Sequence, residues 1–392
     1  MSAADPVVIV AAARTPMGGL LGDLAGLAAS DLGAVAVKAA AQQAQLPADG
    51  ADWIVMGNVL GAGQGQAPAR QAALKAGLAQ STEATTLNKM CGSGMQAAIM
   101  GRNAILAGEA SVVIAGGMES MTNAPFLMAK HRTGQKYGHD RLFDHMALDG
   151  LEDAYEGKAM GVYADMAAAA HQMSREAQDA YALETLARAQ GATASGAFAA
   201  EIVAVTPPGK GAEPVSADEL PRKARPEKIP SLKAAFTPDG TVTAANASAI
   251  SDGAAALVLM AKSQAEARGL TPLATIVATA AHAHEPQWFT TAPVPAMGKL
   301  LEKAGWTASG VDLWEINEAF AIVPMIAIKE LGISHAVINV NGGACALGHP
   351  IGASGARIMA TLIHALRARG GGRGVASLCI GGGEATAVAL EV

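Results

Sequence analysis

Two stretches in opposite halves of this chain pass through the same series of events. Residues 91–119 read CGSGMQAAIMGRNAILAGEASVVIAGGME: a glycine-rich loop, a helical pattern, an apolar strand, a glycine turn and an acid. Residues 349–384 read HPIGASGARIMATLIHALRARGGGRGVASLCIGGGE and keep that order. A loop–helix–strand unit cannot bury its apolar face alone, so a repeated unit points to two similar α/β halves packed together. Each copy opens its helix with one reactive side chain, Cys91 in the first and His349 in the second. Cys379 ends the last strand of the second copy.

The rest of the chain agrees with an α/β class. Strands are expected at VVIVAA near residue 7, WIVMGNV near 53, ASVVIAGG near 110, ALVLMA near 256 and GVASLCIGG near 374. They alternate with Ala-rich helical stretches: LGAVAVKAAAQQAQ, GMQAAIMGRNAILAG, REAQDAYALETLARAQGA and SGARIMATLIHALRARG. Several strands are apolar throughout, which suits sheets covered by helices on both faces. Residues 121–250 break this texture with KHRTGQKYGHDRLF and PPGKGAEPVSADELPRKARPEKIP, and read as a loop-rich insertion. The expected division is residues 1–120 with 251–270 as the first half, 121–250 as the insertion, and 271–392 as the second half.

Composition narrows the function classes. With 51% hydrophobic and 16% charged residues the 392-residue chain can bury a large interior, and 4% aromatics means small aliphatics must fill it. A net charge of −6 argues against a nucleic-acid binder. No apolar run approaches the roughly 20 residues that cross a bilayer, and VVIVAAA, which lacks a basic leader, reads as a strand. Cys91, Cys345 and Cys379 are an odd set without CxxC spacing, so a reducing cytoplasm is expected, not a disulfide framework. His131, His139 and His145 sit among Lys and Arg without acidic or cysteine partners, so no metal site is expected. Glycines 61, 63 and 65 fail the dinucleotide fingerprint, whose third glycine falls on Gln66.

Four segments can carry chemistry. Cys91 before a helix faces unpaired N–H groups and the helix dipole, which should pull its pKa below about 8.5. Gly92 and Gly94 would let a backbone approach whatever bonds to the sulfur. The plainer alternative is an inert packed cysteine. His349, between glycine and Pro350, could accept a thiol proton as a neutral imidazole. Cys379 lies at the carboxyl end of a strand, ahead of glycines 381–383 whose N–H groups could meet an oxyanion. Asn317 in WEINEAFA is either a helix N-cap or a residue that fixes a water.

Together NKMCGSGMQA, NEAFA, NVNGGACALGHPIGASG and CIGGGEA resemble the signatures of the thiolase family, and the resemblance spans essentially the whole chain. It implies the thiolase fold, with mixed sheets, and a loop domain at the insertion. It also implies a reversible Claisen condensation of two acetyl-CoA to acetoacetyl-CoA and CoA through an acetyl-cysteine. In that scheme Cys91 is the nucleophile, His349 its base and Cys379 the second acid/base. Asn317, through a water, and His349 form one oxyanion site; the N–H groups of Cys91 and Gly381 form the other. Ser248 would contact pantetheine and Arg222 the adenine nucleotide, within the basic cluster Arg222, Lys223, Arg225 and Lys228. Met160, Phe289, Ala319 and Phe320 would border the substrate. CoA thioesters are then the substrates, with no cofactor and no metal, and a homotetramer built as a dimer of dimers is expected, with the loop near 130–145 as a contact.

Two departures bear on substrate length. The segment GKAMG has Ala159 where many short-chain members carry histidine, and Phe289 stands where biosynthetic members carry methionine. A phenylalanine narrows the acyl tunnel, while losing a histidine weakens the argument about pocket polarity. A degradative 3-ketoacyl-CoA thiolase for longer or aromatic-catabolic chains is the alternative, and the physiological direction stays open.

Overall fold

The computed structural model describes residues 5–392. Among them, the first half of the chain supplies β1 (Val7–Arg14), β2 (Gly18–Gly19), β3 (Trp53–Gly57), β4 (Glu83–Leu87) and β5 (Val112–Ser120). A small hairpin follows, β6 (Phe126–Leu127) with β7 (Phe143–Asp144). The chain returns to the main sheet with β8 (Ser251–Ala261), and the second half adds β9 (Ala274–Ala283), β10 (Leu313–Ile316), β11 (Arg373–Ile380) and β12 (Glu384–Glu391).

The strand order β4-β3-β5-β8-β1 of the first half is mirrored by β10-β11-β12-β9 in the second. In each, a parallel pair (β3·β5; β10·β11) leads into antiparallel neighbours (β5·β8·β1; β11·β12·β9). A parallel bridge from Trp314 to Ile338 stands where the first half has β4 beside β3. The two halves are not separate sheets. Val8 pairs with Thr275 and Ile9 with Ala274, which joins them into one ten-stranded mixed sheet.

The repeated helices are Ser93–Ala107 and Ser354–Ala368, fifteen residues each. They pack against one another in a shared core with Met95, Ala98, Ile358, Met359 and Leu362. Their approach explains Gly94 and Gly355. A Cβ on Gly94 would lie 2.8 Å from the backbone N of Ala356, and one on Gly355 would lie 2.3 Å from that of Met95. Close packing of two helix starts therefore demands the glycines. The expectation that Gly94 serves a bound thioester is corrected here: its neighbour is protein backbone.

The segment 121–250 leaves the end of β5 and re-enters at β8, its antiparallel neighbour. It is less loop-rich than its proline and charge content suggests. It carries helix Met160–Ala170 and the 21-residue helix Arg175–Ser195, whose Ser174 side chain caps the N-terminus by accepting from Ala177 N. Arg14 anchors this segment to the sheet from a fully buried position, with Nε on Glu201 at 2.7 Å and Nη1 on Asp218 at 2.7 Å.

Candidate active site

Cys91 sits in a tight elbow between β4 and helix Ser93–Ala107. Met90 adopts φ 45°, a left-handed conformation that a non-glycine residue holds only under constraint. Three bonds supply the constraint: Met90 N donates to Asn88 Oδ1 at 2.9 Å, Lys89 N to Ser93 Oγ at 2.9 Å, and Ser93 Oγ to Met90 O at 2.7 Å. Gly92 lets Ile380 pack closely on the elbow: a Cβ there would lie 2.4 Å from Cδ1 of Ile380, whose side chain would have to shift.

His349 lies in the loop between the short helix Ala344–Leu347 and helix Ser354–Ala368, and is 5% exposed. It is not the positional equivalent of Cys91. The cysteine precedes its helix by one residue, Gly92, whereas the histidine precedes its helix by a longer loop holding Pro350 and Ile351. Its Nδ1 lies 2.5 Å from Ser354 Oγ, and that hydroxyl donates to Pro350 O at 2.9 Å. With its one hydrogen committed to a carbonyl, Ser354 accepts from His349, which fixes the Nδ1–H tautomer and leaves a lone pair on Nε2. Asn317 Nδ2 stands 3.5 Å from Nε2.

Asn317 follows β10 and does not cap a helix, since the next helix begins at Ile322 with Ala321 before it. Its neighbour Glu318 is a buried hub. The carboxylate accepts from Tyr181 Oη (3.0 Å), Thr185 Oγ1 (2.9 Å), Asn339 Nδ2 (2.7 Å) and Cys345 N (3.1 Å). A second buried acid, Glu119 on β5, accepts from Asn58 Nδ2 (2.8 Å) and from the N–H groups of Val59 (3.0 Å), Leu60 (3.1 Å) and Gly352 (2.9 Å). It ties the His349 loop to the loop after β3. Burial pushes its pKa up to about 7, against the pull of these donors.

Cys91 and His349 line one cavity of about 490 Å³ together with Gly381, Ser248, Met160, Phe289, Ala319 and Phe320. Ala159, Phe236 and Ile351 share its wall. Phe320 meets Phe236 and Phe289 edge-on, with centroids 6.0 and 6.2 Å away, so the lining is largely apolar. Cys379 and Asn317 do not line the cavity and are buried, 0% and 1% exposed; Cys379 belongs to the same apolar core cluster as Phe289, Ala319 and Phe320. Arg222 is not on the cavity wall. Its guanidinium reaches Asp23 at 2.7 Å, and Lys223 bonds both Asp23 and Glu219, so half of the basic cluster is neutralised by nearby acids.

The charge states differ from the sequence expectation at Cys91. Burial pushes the thiol up to about 11; the N–H groups of Gly381 and Cys91 reach the sulfur and pull the other way, and the Glu119 carboxylate adds to the rise. Desolvation outweighs the helix start, so Cys91 rests as a thiol. Burial, aided by the Arg357 charge, pushes His349 down to about 3, which leaves it a neutral imidazole. Cys379 is held well above the ordinary thiol range by burial and by the nearness of Cys91.

Ser354, Glu119 and Glu318 are absent from the residues that the sequence suggests for the site. Ser354 had a signal, being a hydroxyl in the first helical turn after the histidine. Glu119 was visible as the acid that closes the first repeat. Among the described residues no cluster of His, Cys, Asp or Glu could hold a metal, and no helix is long and apolar enough to cross a membrane.

The sequence description of the thiolase N-terminal domain matches residues 7–263, and that of the thiolase C-terminal domain matches residues 270–392. The chain belongs to the thiolase family. Among relatives of this thiolase, the acetyl-CoA acetyltransferase of Schizosaccharomyces pombe is 46% identical over 388 residues, covering 98% of both chains. That of Cupriavidus necator is 46% identical over 388 residues, covering 98% of this chain and 99% of its own. The crystal structure of Acat5 thiolase from Ascaris suum in complex with coenzyme A superposes with a TM-score of 0.94 at 42% identity, covering 98% of this chain and 99% of that one. The thiolase fold expected from the motifs is thereby established.

Proposed function

We propose that this thiolase is an acetyl-CoA C-acetyltransferase, interconverting two acetyl-CoA with acetoacetyl-CoA and CoA through an acetyl group on Cys91. The observation that carries this reading is the meeting of Cys91, His349 and Gly381 on one apolar cavity, with the buried Cys379 thiol near enough to Cys91 for their charges to interact. The names of the similar proteins favour the short-chain substrate over longer 3-ketoacyl-CoA.

The resting protonation states suit a start from acetoacetyl-CoA. Cys91 gives its proton to Nε2 of His349 as its sulfur attacks the 3-keto carbon. The C2–C3 bond then breaks, and the enolate of acetyl-CoA takes its proton from the Cys379 thiol, whose high pKa keeps it loaded. Incoming CoA gives its thiol proton to Cys379 and attacks acetyl-Cys91. The Cys91 thiolate departs and recovers its proton from His349. In condensation every transfer runs backwards. The N–H groups of Cys91 and Gly381, which in the free enzyme reach the Cys91 sulfur, stabilise one oxyanion, that of the acyl group carried on this sulfur. Asn317 serves the other with His349; its buried Oδ1 lacks a protein partner, which suits it to orient a water. Thiol and imidazole chemistry of this kind needs no metal or prosthetic group.

Ser248, whose N–H is fixed by Ala319 O at 2.9 Å, is assigned to the pantetheine arm, and Met160, Phe289, Ala319 and Phe320 to the acyl end. The reading keeps 121–250 as an inserted CoA-binding domain between halves 1–120 with 251–270 and 271–392. It extends to a cytoplasmic homotetramer, supported by three free thiols and by Phe126, Tyr137 and Leu142, which lie exposed on and around the β6–β7 hairpin. Thiolysis of acetoacetyl-CoA measured beside a C8 3-ketoacyl-CoA tests the assignment. Turnover should favour the C4 substrate, and equal rates on both would reject it.

A further inference from the structure

The acid that closes the second repeat, Glu384, has no part in the chemistry above. It differs from its counterpart Glu119, which lies on β5 itself, whereas Glu384 begins the next strand, β12, after the turn 381–383. That turn presents the Gly381 N–H, and the elbow 88–93 presents the Cys91 N–H. The two turns belong to opposite halves of the molecule, yet both donors must meet one oxygen. Besides the reach of the Gly381 N–H to the Cys91 sulfur, two contacts flank the donors. Ile380 packs on Gly92 closely enough that a Cβ there would displace its side chain. On the other flank Lys89 Nζ forms an ion pair with the Glu384 carboxylate, with side chains 26% and 39% exposed. In each turn the donor lies between its two contacts: Cys91 between Lys89 and Gly92, Gly381 between Ile380 and Glu384.

We propose that the Lys89–Glu384 ion pair is a positioning clamp that sets the spacing of the Cys91 and Gly381 N–H donors. The proposal rests on the acyl-transfer reading of the cavity. A half-exposed pair of this kind contributes little to global stability. Its leverage is geometric, because a misplacement of about 1 Å at reacting groups can cost roughly 10²-fold in rate. Apolar contact at Ile380 fixes one side of the turn pair, and without the clamp the other side is restrained only by the reach of the Gly381 N–H to the Cys91 sulfur. Met90, strained in the left-handed region between Lys89 and Cys91, transmits the position of the lysine directly to the nucleophile's backbone.

The test uses the full-length enzyme. Glu384→Gln and Lys89→Met should each lower kcat for acetoacetyl-CoA thiolysis about 3- to 30-fold, below the roughly 10²- to 10³-fold cost of losing a donor outright. KM and melting temperature should stay close to wild type. The exchanged pair Lys89→Glu with Glu384→Lys should recover to within about 3-fold, and about 1 M salt should slow wild type while leaving Glu384→Gln nearly unchanged. Wild-type kcat in both single variants, or an exchanged pair as slow as either, overturns the clamp. Hydrogen exchange of peptides covering 88–93 and 380–384 reads it without turnover. Faster exchange in both turns of Glu384→Gln supports it, and unchanged exchange overturns it. A wild-type protein that failed to thiolyse acetoacetyl-CoA would reject the activity, leaving the exchange data to judge the clamp.

Discussion

Replacing Ser354 by Ala isolates the tautomer control of the candidate base. The hydroxyl is 1% exposed, donates to Pro350 O and accepts from His349 Nδ1 at 2.5 Å. Its removal leaves a buried N–H without an acceptor, a penalty of about 1–3 kcal/mol. The imidazole can relieve that penalty by moving its proton to Nε2, where Asn317 Oδ1, after an amide flip, would accept it. In that tautomer the lone pair points away from the cavity and His349 cannot take the Cys91 proton. If the Ser354 bond sets the preference by the same amount, kcat should fall about 5- to 150-fold, since about 1.4 kcal/mol is tenfold. Substrate contacts are untouched, so KM should hold. Steady-state thiolysis of acetoacetyl-CoA by Ser354→Ala, with a thermal melt to verify folding, gives the answer. A folded variant with wild-type kcat would refute the hydrogen-bond argument.

Further expectations follow from particular contacts. Gly94→Ala should destabilise the protein by about 1–3 kcal/mol in chemical denaturation, because its methyl meets the backbone of the opposing helix 2.8 Å away. Glu119→Gln should cost about 1–3 kcal/mol by the same measurement, as an amide NH₂ would face N–H donors that now share two carboxylate oxygens. The depressed pKa of His349 has a definite sign. Below the ordinary 6.5 the unfolded chain binds a proton that the fold refuses, so stability should fall as pH drops from 6.5 toward 3, by up to about 1.4 kcal/mol per pH unit. Denaturation midpoints of His349→Gln should be flatter with pH over that window, and an unchanged slope would show that the acid sensitivity arises elsewhere.

Local pattern made much of this fold legible. Each strand and helix expected from apolar runs and Ala-rich stretches is found near its place, and the repeat of 91–119 in 349–384 corresponds to two halves with the same strand order. What failed to show were relations between distant segments. The β1–β9 pairing that fuses the sheets rests on two residue pairs, and no periodicity in either strand announces it. Gly94 looked like substrate access because the helix packed against it is Ser354–Ala368, far along the chain. The acidity of Cys91 was misjudged for a similar reason. A helix start is visible in sequence, but burial raises the thiol pKa, and the cavity that holds Cys91 is walled by residues from distant segments such as Met121, Phe289 and Gly381. The pairing of Arg222 with Asp23 was equally invisible, because the two residues are 199 positions apart.

The central claim is that Cys91 carries the acyl group. The direct measurement is mass spectrometry of the protein after brief incubation with acetyl-CoA, followed by acid quench and peptide mapping. One acetyl group should appear, on the peptide containing Cys91, and vanish when free CoA is added before the quench or when Cys91 is replaced by Ala. Acetyl that maps to Cys345, Cys379 or any other residue, or that persists in Cys91→Ala, would contradict the account.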